Sequence, residues 1–300
     1  MENKFDLIIM GGGPAGLSAA IYAGRGNRKV AILDTTLAGG QPSYYYDIVN
    51  YPGYVSGSSS GLVSNMAMQA QCSGAELFQC LDIERVILKR YLKEVVTNEG
   101  IFIAPVVIIA TGAHPKFLDV PEEEKFRYKG VSYCAVCDGG FYKGKNVAVI
   151  GGGNSALEEA LYLSHIASKV YLIHRRDEFR ADKTIQKQLM YVSNIETIMN
   201  TTVQHIIGED KVKGLMLNNG YSIGVDGVFP YIGSVPNSEL FEDALNVDKN
   251  GFIIVNSEQQ TSIEGVYAAG DVTNSNLKQV VTAVADGAKA ATFGLKYLDV

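Results

Sequence analysis

Two segments of the chain repeat one pattern: an apolar strand, a glycine-rich turn and a helix opening made of small residues. The first copy contains the turn GGGPAG at residues 11–16, and the second contains GGGNSA at residues 151–156. In this pattern the first glycine permits a tight turn, the second lets the backbone approach a pyrophosphate, and a small last residue lets the helix pack closely on the strand. One copy alone is weak evidence, but each copy is followed by a further apolar strand. The chain is therefore predicted to be α/β, with two Rossmann-like nucleotide-binding domains of three ββα layers.

The two copies differ at the end of the strand that follows the helix. Asp34 and His174 each lie 23 residues after the first glycine of their copy (34 − 11 and 174 − 151). A carboxylate at this position accepts hydrogen bonds from a ribose 2′-hydroxyl, as we expect for Asp34. In the second copy His174 is followed by Arg175, Arg176 and Arg180, whose guanidinium groups suit a 2′-phosphate. We therefore expect an unphosphorylated adenosine ribose at the first site and NADPH at the second.

Two further segments, VVIIATGAHP at residues 106–115 and GVYAAGDV at residues 265–272, resemble elements that close a flavin site. If both belong to one domain, the FAD-binding domain is discontinuous and comprises residues 1–113 and 241–300. The NADPH-binding domain, residues 114–240, is then inserted into it and carries the CxxC motif. The joints GAHPKFL and YIGSVPNS contain proline and glycine, and they suit the rotation of one domain on the other.

The chain has four cysteines, and two of them, Cys134 and Cys137, stand three positions apart with Asp138 directly after them. This spacing allows a redox-active disulfide or half of a zinc site. A zinc site would need two more ligands, and Cys72 and Cys80 are too far apart in sequence to form a second knuckle. We therefore expect a redox pair and no bound metal.

The net charge and the lengths of the apolar runs indicate which partners and which cellular compartment to expect for this chain. A net charge of −6 argues against nucleic acid or an anionic membrane as the main partner. The longest apolar run, residues 104–113, is too short to span a bilayer, and the apolar stretch near the start of the chain is too short for a signal peptide. We expect a cytoplasmic protein. In that compartment structural disulfides are rare, and a close cysteine pair is typically catalytic or metal-binding.

Taken together, these motifs resemble those of the low-molecular-weight, bacterial-type thioredoxin reductases. The resemblance covers nearly the whole chain through GGGPAGLSAA, GGQP, NYPG, IIATGA, CAVCDGGFY, GGGNSALEEALYLS, HRRDEFRA, DGVFPYIGSVPN and GVYAAGDV. Its most specific part is CxxCD shortly before the second glycine-rich turn, with HRRxxxR after that turn. It implies a homodimeric thioredoxin-disulfide reductase that passes electrons from NADPH through FAD to the CxxC disulfide and then to thioredoxin. It also implies that the inserted domain rotates between one state for reducing the flavin and another for reducing the disulfide.

The resemblance also implies roles residue by residue. Cys137 corresponds to the sulfur that faces the flavin, Cys134 to the sulfur that attacks the partner, and Asp138 to the acid/base beside them. FAD is expected on Gly11, Gly13, Pro14, Ala15, Gly16, Asp34, Gly39, Gly40, Gln41, Asn50, Thr111, Gly112, Gly270, Asp271, Lys278 and Gln279. NADPH is expected on Gly151, Gly153, Asn154, Ser155, Ala156, His174, Arg175, Arg176 and Arg180.

Some positions depart from the family pattern. Tyr44, Tyr45 and Tyr46 stand where leucine and small polar residues are common, and we expect them to pack on the flavin. Tyr231 stands where alanine is common, and Lys278 stands where arginine is usual.

Three alternative functions stay open from the sequence. A related flavoenzyme accepts electrons from ferredoxin, but its kind typically lacks the HRRxxxR set that this chain has. Another disulfide carrier, such as a glutaredoxin-like protein, could replace thioredoxin as the partner. A nucleotide-binding regulatory protein or a zinc-stabilised module would undergo no redox change at the cysteines.

Overall fold

The computed structural model describes residues 2–44, 48, 50–55, 57–90 and 92–299, apart from the side chain of Tyr44. The chain forms two compact units, which are described separately. The first unit comprises Met1–His114 and Val235–Val300, and the second comprises Pro115–Ser234.

The helices and strands are numbered in chain order. The strands are β1 (Glu2–Lys4), β2 (Leu7–Met10), β3 (Val30–Leu33), β4 (Ala75–Phe78), β5 (Ile83–Lys89), β6 (Leu92–Thr97), β7 (Gly100–Ile103), β8 (Val106–Ile109), β9 (Ala113–Pro115), β10 (Asn146–Gly151), β11 (Lys169–Ile173), β12 (Ile195–Ile198), β13 (Val203–Gly208), β14 (Val212–Leu217), β15 (Ser222–Ile223), β16 (Gly227–Tyr231), β17 (Ser234–Pro236) and β18 (Val266–Ala268). The α-helices are α1 (Pro14–Arg25), α2 (Ser59–Cys72), α3 (Glu123–Phe126), α4 (Ala135–Asp138), α5 (Asn154–Ser164), α6 (Lys183–Leu189) and α7 (Val280–Leu298). Short 3-10 turns lie at Gln41–Tyr44, Gly139–Tyr142 and Gly270–Val272.

The first unit is built on a parallel sheet of five strands in the order β18-β8-β2-β3-β4. Its central strands are continuous apolar runs such as LIIM and VVII, as expected for parallel strands that are covered on both faces. Along β2, Leu7 and Ile9 face a core that includes residues of α1, α2 and α7. The alternate residues Ile8 and Met10 face a second core, shared with the sheet β1-β7-β6-β5. The unit therefore has a helix layer and two sheet layers.

The second unit repeats this arrangement with a parallel sheet in the order β12-β11-β10-β16. Along β10, Val147 and Val149 pack with residues of α5, whereas Ala148 and Ile150 pack with the three-stranded sheet β13-β14-β15. The period-two alternation of a strand sends successive side chains to opposite faces, so each strand contributes to both cores. The predicted fold class, α/β with two nucleotide-binding folds of ββα layers, is confirmed.

The chain passes between the units at β9 and β17, which pair as a two-stranded ribbon. The sequence predicted that the first unit resumes at Phe241, but the structure assigns residues from Val235 onward to it. The reason is a set of hydrogen bonds that the pattern of apolar residues does not reveal. The Asn237 side chain donates to the Thr111 carbonyl at 2.7 Å, and the Ser238 hydroxyl donates to the Gly251 carbonyl at 2.7 Å.

Close approach of α1 and α7 depends on Gly287, because a Cβ there would collide with the carbonyl oxygen of Ala15. We expect Gly287→Ala to lower the free energy of unfolding by about 1–3 kcal/mol, the usual cost of overpacking, despite the better helix propensity of alanine. Urea unfolding followed by far-UV circular dichroism measures the change. Gly224→Ala is the matched control, because it adds the same methyl group where no atom lies within 4 Å. Equal stability of the two variants would contradict the prediction.

Candidate active site

The Cys134–Cys137 pair forms a disulfide with a Cα–Cα distance of 5.3 Å. Cys134 is extended and precedes the single turn of α4, which contains Cys137. Within this turn the Cys137 amide donates to the Cys134 sulfur at 3.2 Å, and the Asp138 amide donates to the Cys134 carbonyl at 3.0 Å. Both cysteines are half-buried, so the disulfide is held in a defined turn and still reaches the surface.

The segment leading into the disulfide is fixed to the edge of the parallel sheet. Val131 forms a parallel bridge with Val228 of β16. The Val228 amide donates to the Gly130 carbonyl at 2.7 Å, and the Ser132 amide donates to the Val228 carbonyl at 3.0 Å. The disulfide therefore begins where this short extra strand ends, in the same unit as the second glycine-rich turn.

Asp138 is held by Ser132. The buried hydroxyl of Ser132 donates to the Asp138 carboxylate at 2.6 Å and accepts the Cys134 amide at 3.1 Å. Burial raises the pKa of Asp138, and the hydrogen bond from Ser132 opposes that rise because it favours the charged carboxylate. A carboxyl whose pKa is raised can carry a proton beside the sulfurs, which is what an acid at this position requires. Ser132 was not predicted, since a serine two positions before a cysteine carries no recognisable signal.

A second contact to the disulfide turn comes from Tyr231, the last residue of β16. Its hydroxyl accepts the amide of Ala135 at 2.7 Å. The sequence singled out Tyr231 only as a departure from a family pattern and predicted no contact for it.

The remaining cysteines, Cys72 and Cys80, are free and exposed, and both belong to the first unit. In the described part of the chain no group of three or more His, Cys, Asp or Glu side chains is placed to hold a metal ion. Within the same residues, no helix has the length and apolar character of a membrane span.

The first glycine-rich turn lies at the carboxyl end of β2. Gly11 has a φ of 107°, a conformation that favours glycine, and a Cβ there would collide with the Ala110 carbonyl. A Cβ at Gly16 would collide with the Gly11 carbonyl, so the helix can approach the strand only with glycine at this position. A Cβ at Gly40 would lie 2.9 Å from the Cα of Gly13, so two glycine-rich turns meet backbone to backbone.

Asp34 lies at the end of β3 and is buried beside this turn. Its carboxylate accepts the Gly12 amide at 2.5 Å, and it accepts both the amide and the hydroxyl of Thr36, at 2.7 and 2.9 Å. A carboxylate offers about four acceptor positions, so one remains for a ligand hydroxyl. This arrangement fits the predicted role at a ribose.

Later segments of the first unit reach the same edge. A Cβ at Gly270 would lie 2.9 Å from the Ala15 Cβ, which places Gly270 against the first helix turn. Burial raises the pKa of Asp271, and Lys278 opposes this rise. The Lys278 ammonium donates to the carbonyls of Asp271 and Thr273, at 2.8 and 3.2 Å. Burial lowers the pKa of Lys278 itself.

Asn50, Gln279, Thr111 and Gly112 of the predicted FAD set make further hydrogen bonds in the first unit. The Asn50 amide donates to the Gln279 side chain at 3.1 Å, and Gln279 caps the start of α7. The Thr111 hydroxyl donates to the Asn237 carbonyl at 2.6 Å, and the Asn237 amide donates to the Gly112 carbonyl at 2.9 Å. Asn237 was not predicted.

Most predicted FAD residues therefore lie along one edge of the first sheet, joined by direct contacts. This edge contains the carboxyl ends of its parallel strands, where ligands bind in open α/β sheets. The packing predicted for Tyr44, Tyr45 and Tyr46 lies outside the described residues, because their side chains are not among those the structure describes.

The second glycine-rich turn lies at the corresponding end of β10. Gly151 has a φ of 155°, and a Cβ there would collide with the Tyr231 carbonyl and lie 2.7 Å from Ala156 Cβ. A Cβ at Gly153 would meet no atom within 4 Å, so the backbone there is open to a ligand. The Asn154 side chain exchanges two hydrogen bonds with Asp182, at 2.8 and 2.9 Å, which secures the start of α5. Ser155 is exposed beside it.

His174 lies beneath this turn. Its imidazole is buried, and a Cβ at Gly152 would collide with the ring. Its Nε2 lies 3.1 Å from the Glu178 carbonyl oxygen. Burial lowers the pKa of His174, and the nearby arginines lower it further, whereas the hydrogen bond with the Glu178 carbonyl opposes this fall. This placement favours a supporting role for His174.

The arginines that follow are placed differently. Arg175, Arg176 and Arg180 are exposed, and within the described residues none of them forms an ion pair. The Arg180 amide donates to the Gly152 carbonyl at 2.7 Å, so this residue is anchored to the turn through its backbone. Three exposed guanidinium groups on the segment after β11 are chemically suited to a doubly charged phosphate.

One further acidic residue near this turn was not predicted. Glu159 of α5 has a pKa raised to about 7 by burial and by the neighbouring Glu158. Its Oε2 atom is buried and has no hydrogen-bond partner among the described residues.

The fold and the site define a class: a protein with two nucleotide-binding folds and a cysteine pair in one of them, bonded as a disulfide. The sequence matches the pyridine nucleotide-disulphide oxidoreductase family over residues 5–287, and the chain belongs to this family.

The chain matches named relatives along almost its whole length. It is 40% identical over 310 residues to "Thioredoxin reductase" of Rickettsia prowazekii, covering 100% of both chains. It is 38% identical over 302 residues to the "34.2 kDa protein in rubredoxin operon" of Clostridium pasteurianum, covering 99% of this chain and 98% of the relative. Among solved structures it is similar to the thioredoxin reductase of Streptococcus pyogenes, with a TM-score of 0.91, 39% identity, and 99% and 98% of the two chains covered.

Removing the Ser132 hydroxyl tests the contacts around Asp138. We expect Ser132→Ala to raise the pKa of Asp138 further, because the variant loses a donor to the charged carboxylate. Stability should fall by about 1–3 kcal/mol, because the Cys134 amide also loses its acceptor. Carbon-13 NMR titration of the Asp138 carboxyl measures the first effect. Ser222→Ala, which removes an exposed hydroxyl from the same unit, should change neither quantity. A fall in the Asp138 pKa would contradict the prediction.

Proposed function

We propose that the protein is an NADPH-dependent thioredoxin-disulfide reductase that uses FAD and the Cys134–Cys137 disulfide. The observation that carries the proposal is the position of this disulfide. It lies in the same unit as a glycine-rich turn followed by three exposed arginines that form no ion pair with the described residues, and a second nucleotide fold supplies the other site. The relatives named thioredoxin reductase, which match over the full length, support it.

The first unit fits FAD. Gly13 leaves its backbone open to a pyrophosphate, Gly11 and Gly16 let the turn and the helix pack closely behind it, and Asp34 keeps one acceptor position for the ribose. The remaining holders we propose are Pro14, Ala15, Gly39, Gly40, Gln41, Asn50, Thr111, Gly112, Gly270, Asp271, Lys278 and Gln279. When bound, FAD supplies the means of passing two electrons from NADPH to a disulfide.

The second unit fits NADPH. Gly151, Gly153 and Ala156 form the open turn for the pyrophosphate, while Asn154 and Ser155 begin the helix behind it. Arg175, Arg176 and Arg180 would bind the 2′-phosphate, and His174 would support the turn beneath them.

The cysteines carry out thiol–disulfide exchange once their disulfide has been reduced. The Cys134 thiolate attacks the thioredoxin disulfide, a bond forms between Cys134 and one thioredoxin sulfur, and the other thioredoxin sulfur leaves as a thiolate. Cys137 then attacks the Cys134 sulfur, which restores the internal disulfide and releases the second thioredoxin thiol. Asp138 holds the proton that the leaving sulfur takes up.

Assembly, partner and location are further parts of the proposal. A homodimer in the cytoplasm with thioredoxin as the partner is what the family resemblance implies. Rotation of the inserted unit between the two half-reactions is compatible with a chain that passes between the units only at the β9–β17 ribbon.

The nucleotide assignment is tested by anaerobic titration of the purified, yellow protein. We expect NADPH to bleach the flavin absorbance at low concentration and NADH to be much weaker. Arg176→Ala and Arg180→Ala should each raise the KM for NADPH roughly tenfold, because a hydrogen bond to a charged group is worth about 1.5–3 kcal/mol. The KM for NADH should change little.

Arg85→Ala is the control for the arginine variants, because it removes an exposed arginine from the unit that does not contain the second glycine-rich turn. A yellow protein whose flavin stays oxidised after NADPH is added would contradict the nucleotide assignment. That result would not contradict the proposed cysteine chemistry, and ferredoxin would be the next electron donor to test.

The role of the cysteines is tested by single substitutions. Cys134→Ser and Cys137→Ser should each abolish NADPH-dependent thioredoxin reduction, because exchange needs both sulfurs. The flavin should still be bleached by NADPH in both variants. The double variant Cys72→Ser/Cys80→Ser should keep full activity. A glutaredoxin-like protein is assayed in parallel as an alternative substrate. If the enzyme reduces it much faster than thioredoxin, that protein is the partner and thioredoxin is not.

A further inference from the structure

Tyr231 joins the parallel sheet to the disulfide turn. As the last residue of β16, it pairs in register with Gly151 of β10, so its backbone is fixed by the sheet. Its hydroxyl accepts the Ala135 amide at 2.7 Å, and Ala135 lies between the two cysteines in sequence. A phenylalanine at this position would keep the ring but could not make this contact.

The hydrogen bonds of the disulfide turn fall into two groups. Two are internal: the Cys137 amide donates to the Cys134 sulfur, and the Asp138 amide donates to the Cys134 carbonyl. An amide directed at a sulfur favours the charged thiolate over the thiol once the disulfide is opened.

Further hydrogen bonds come from outside the turn, among them one of 3.4 Å from the Ser132 hydroxyl to the Cys134 carbonyl. The Ser132 hydroxyl accepts the Cys134 amide at 3.1 Å, and the Tyr231 hydroxyl accepts the Ala135 amide. In the oxidised protein the covalent S–S bond closes the turn. Reduction breaks that bond, and the external contacts then keep the backbone in the geometry that directs the Cys137 amide at the Cys134 sulfur.

We propose that Tyr231 is a positioning residue for the reduced enzyme: its hydroxyl holds the Ala135 backbone so that Cys134 remains a thiolate stabilised by the Cys137 amide. The inference rests on the proposed function in one respect, that Cys134 is the sulfur that attacks the partner. Ser132 also holds the backbone of the turn through the Cys134 amide, but its hydroxyl binds Asp138 as well. Removing this hydroxyl therefore changes both the turn and Asp138. Tyr231 allows the effect on the turn to be measured separately.

The test is the pH dependence of Cys134 alkylation by iodoacetamide in the flavin-loaded protein after reduction with dithiothreitol. Mass spectrometry of the peptides separates the four cysteines. We expect Tyr231→Phe to shift the midpoint of the Cys134 profile upward and to make alkylation near pH 7 about three- to tenfold slower, the effect of losing one hydrogen bond. Cys72 and Cys80 serve as internal references, because they are exposed and should react equally in both proteins.

Tyr221→Phe is the matched control, because it removes an exposed hydroxyl from the same unit. It should leave the Cys134 profile unchanged. An unshifted profile in a folded Tyr231→Phe protein would overturn the proposal, and so would an equal shift in Tyr221→Phe.

A second measurement needs no variant. Hydrogen exchange of the Ala135 amide should be protected in wild-type protein in both the oxidised and the reduced state. Protection in the oxidised state alone would overturn the proposal, because Tyr231 would then hold only the disulfide form. Neither measurement uses NADPH or thioredoxin, so failure of the proposed function would appear in the turnover assays and leave these results intact.

Discussion

The close approach of backbone to backbone at glycine is the constraint on which the rest of the structure depends. Gly16 packs against the Gly11 carbonyl, and Gly151 packs against the Tyr231 carbonyl, with no space for a side chain in either place. The first contact draws a helix onto the end of a parallel strand, and the second brings the ends of β10 and β16 together, so that backbone amides of each turn are left for a ligand. Because parallel strands end at one edge, each unit gathers its polar side chains there, while both faces of its sheet are used for the core.

Much of this arrangement could be predicted from the sequence because its determinants are local. The glycine turns, the apolar strands on either side of them and the cysteine spacing each lie within about twenty residues, the range over which periodicity and turn chemistry act. The strand-end positions of Asp34 and His174 were predictable for the same reason, since each lies a fixed number of residues after its glycine turn. The predicted disulfide between Cys134 and Cys137 is present because two cysteines at this spacing share one turn.

The contacts that the sequence did not reveal join residues distant along the chain. Tyr231 meets Ala135 only because β16 is added beside β10, and Asn237 binds Thr111 only because two connections run side by side. Ser132 reaches Asp138 through a local turn, but a pattern of residue types does not tell which of its three staggered rotamers a serine adopts. Side-chain direction is set by packing, and packing is not encoded in a pattern of residue types. His174 illustrates this, because its strand position was predicted but its burial beneath Gly152 was not.

The contrast between Asp34 and His174 has a consequence for redesign. In the first unit the strand-end side chain is a hydrogen-bond acceptor for the Gly12 amide, whereas in the second it is a flat ring that fills the space under Gly152. Altering the coenzyme preference of the second unit therefore involves two separable properties. The exposed arginines can be exchanged without disturbing the turn, but an aspartate grafted at His174 would leave a void under Gly152 that only a repositioned turn could fill. Under the proposed function, phosphate selectivity depends on the arginines and the support of the glycine turn depends on His174, so each property can change independently.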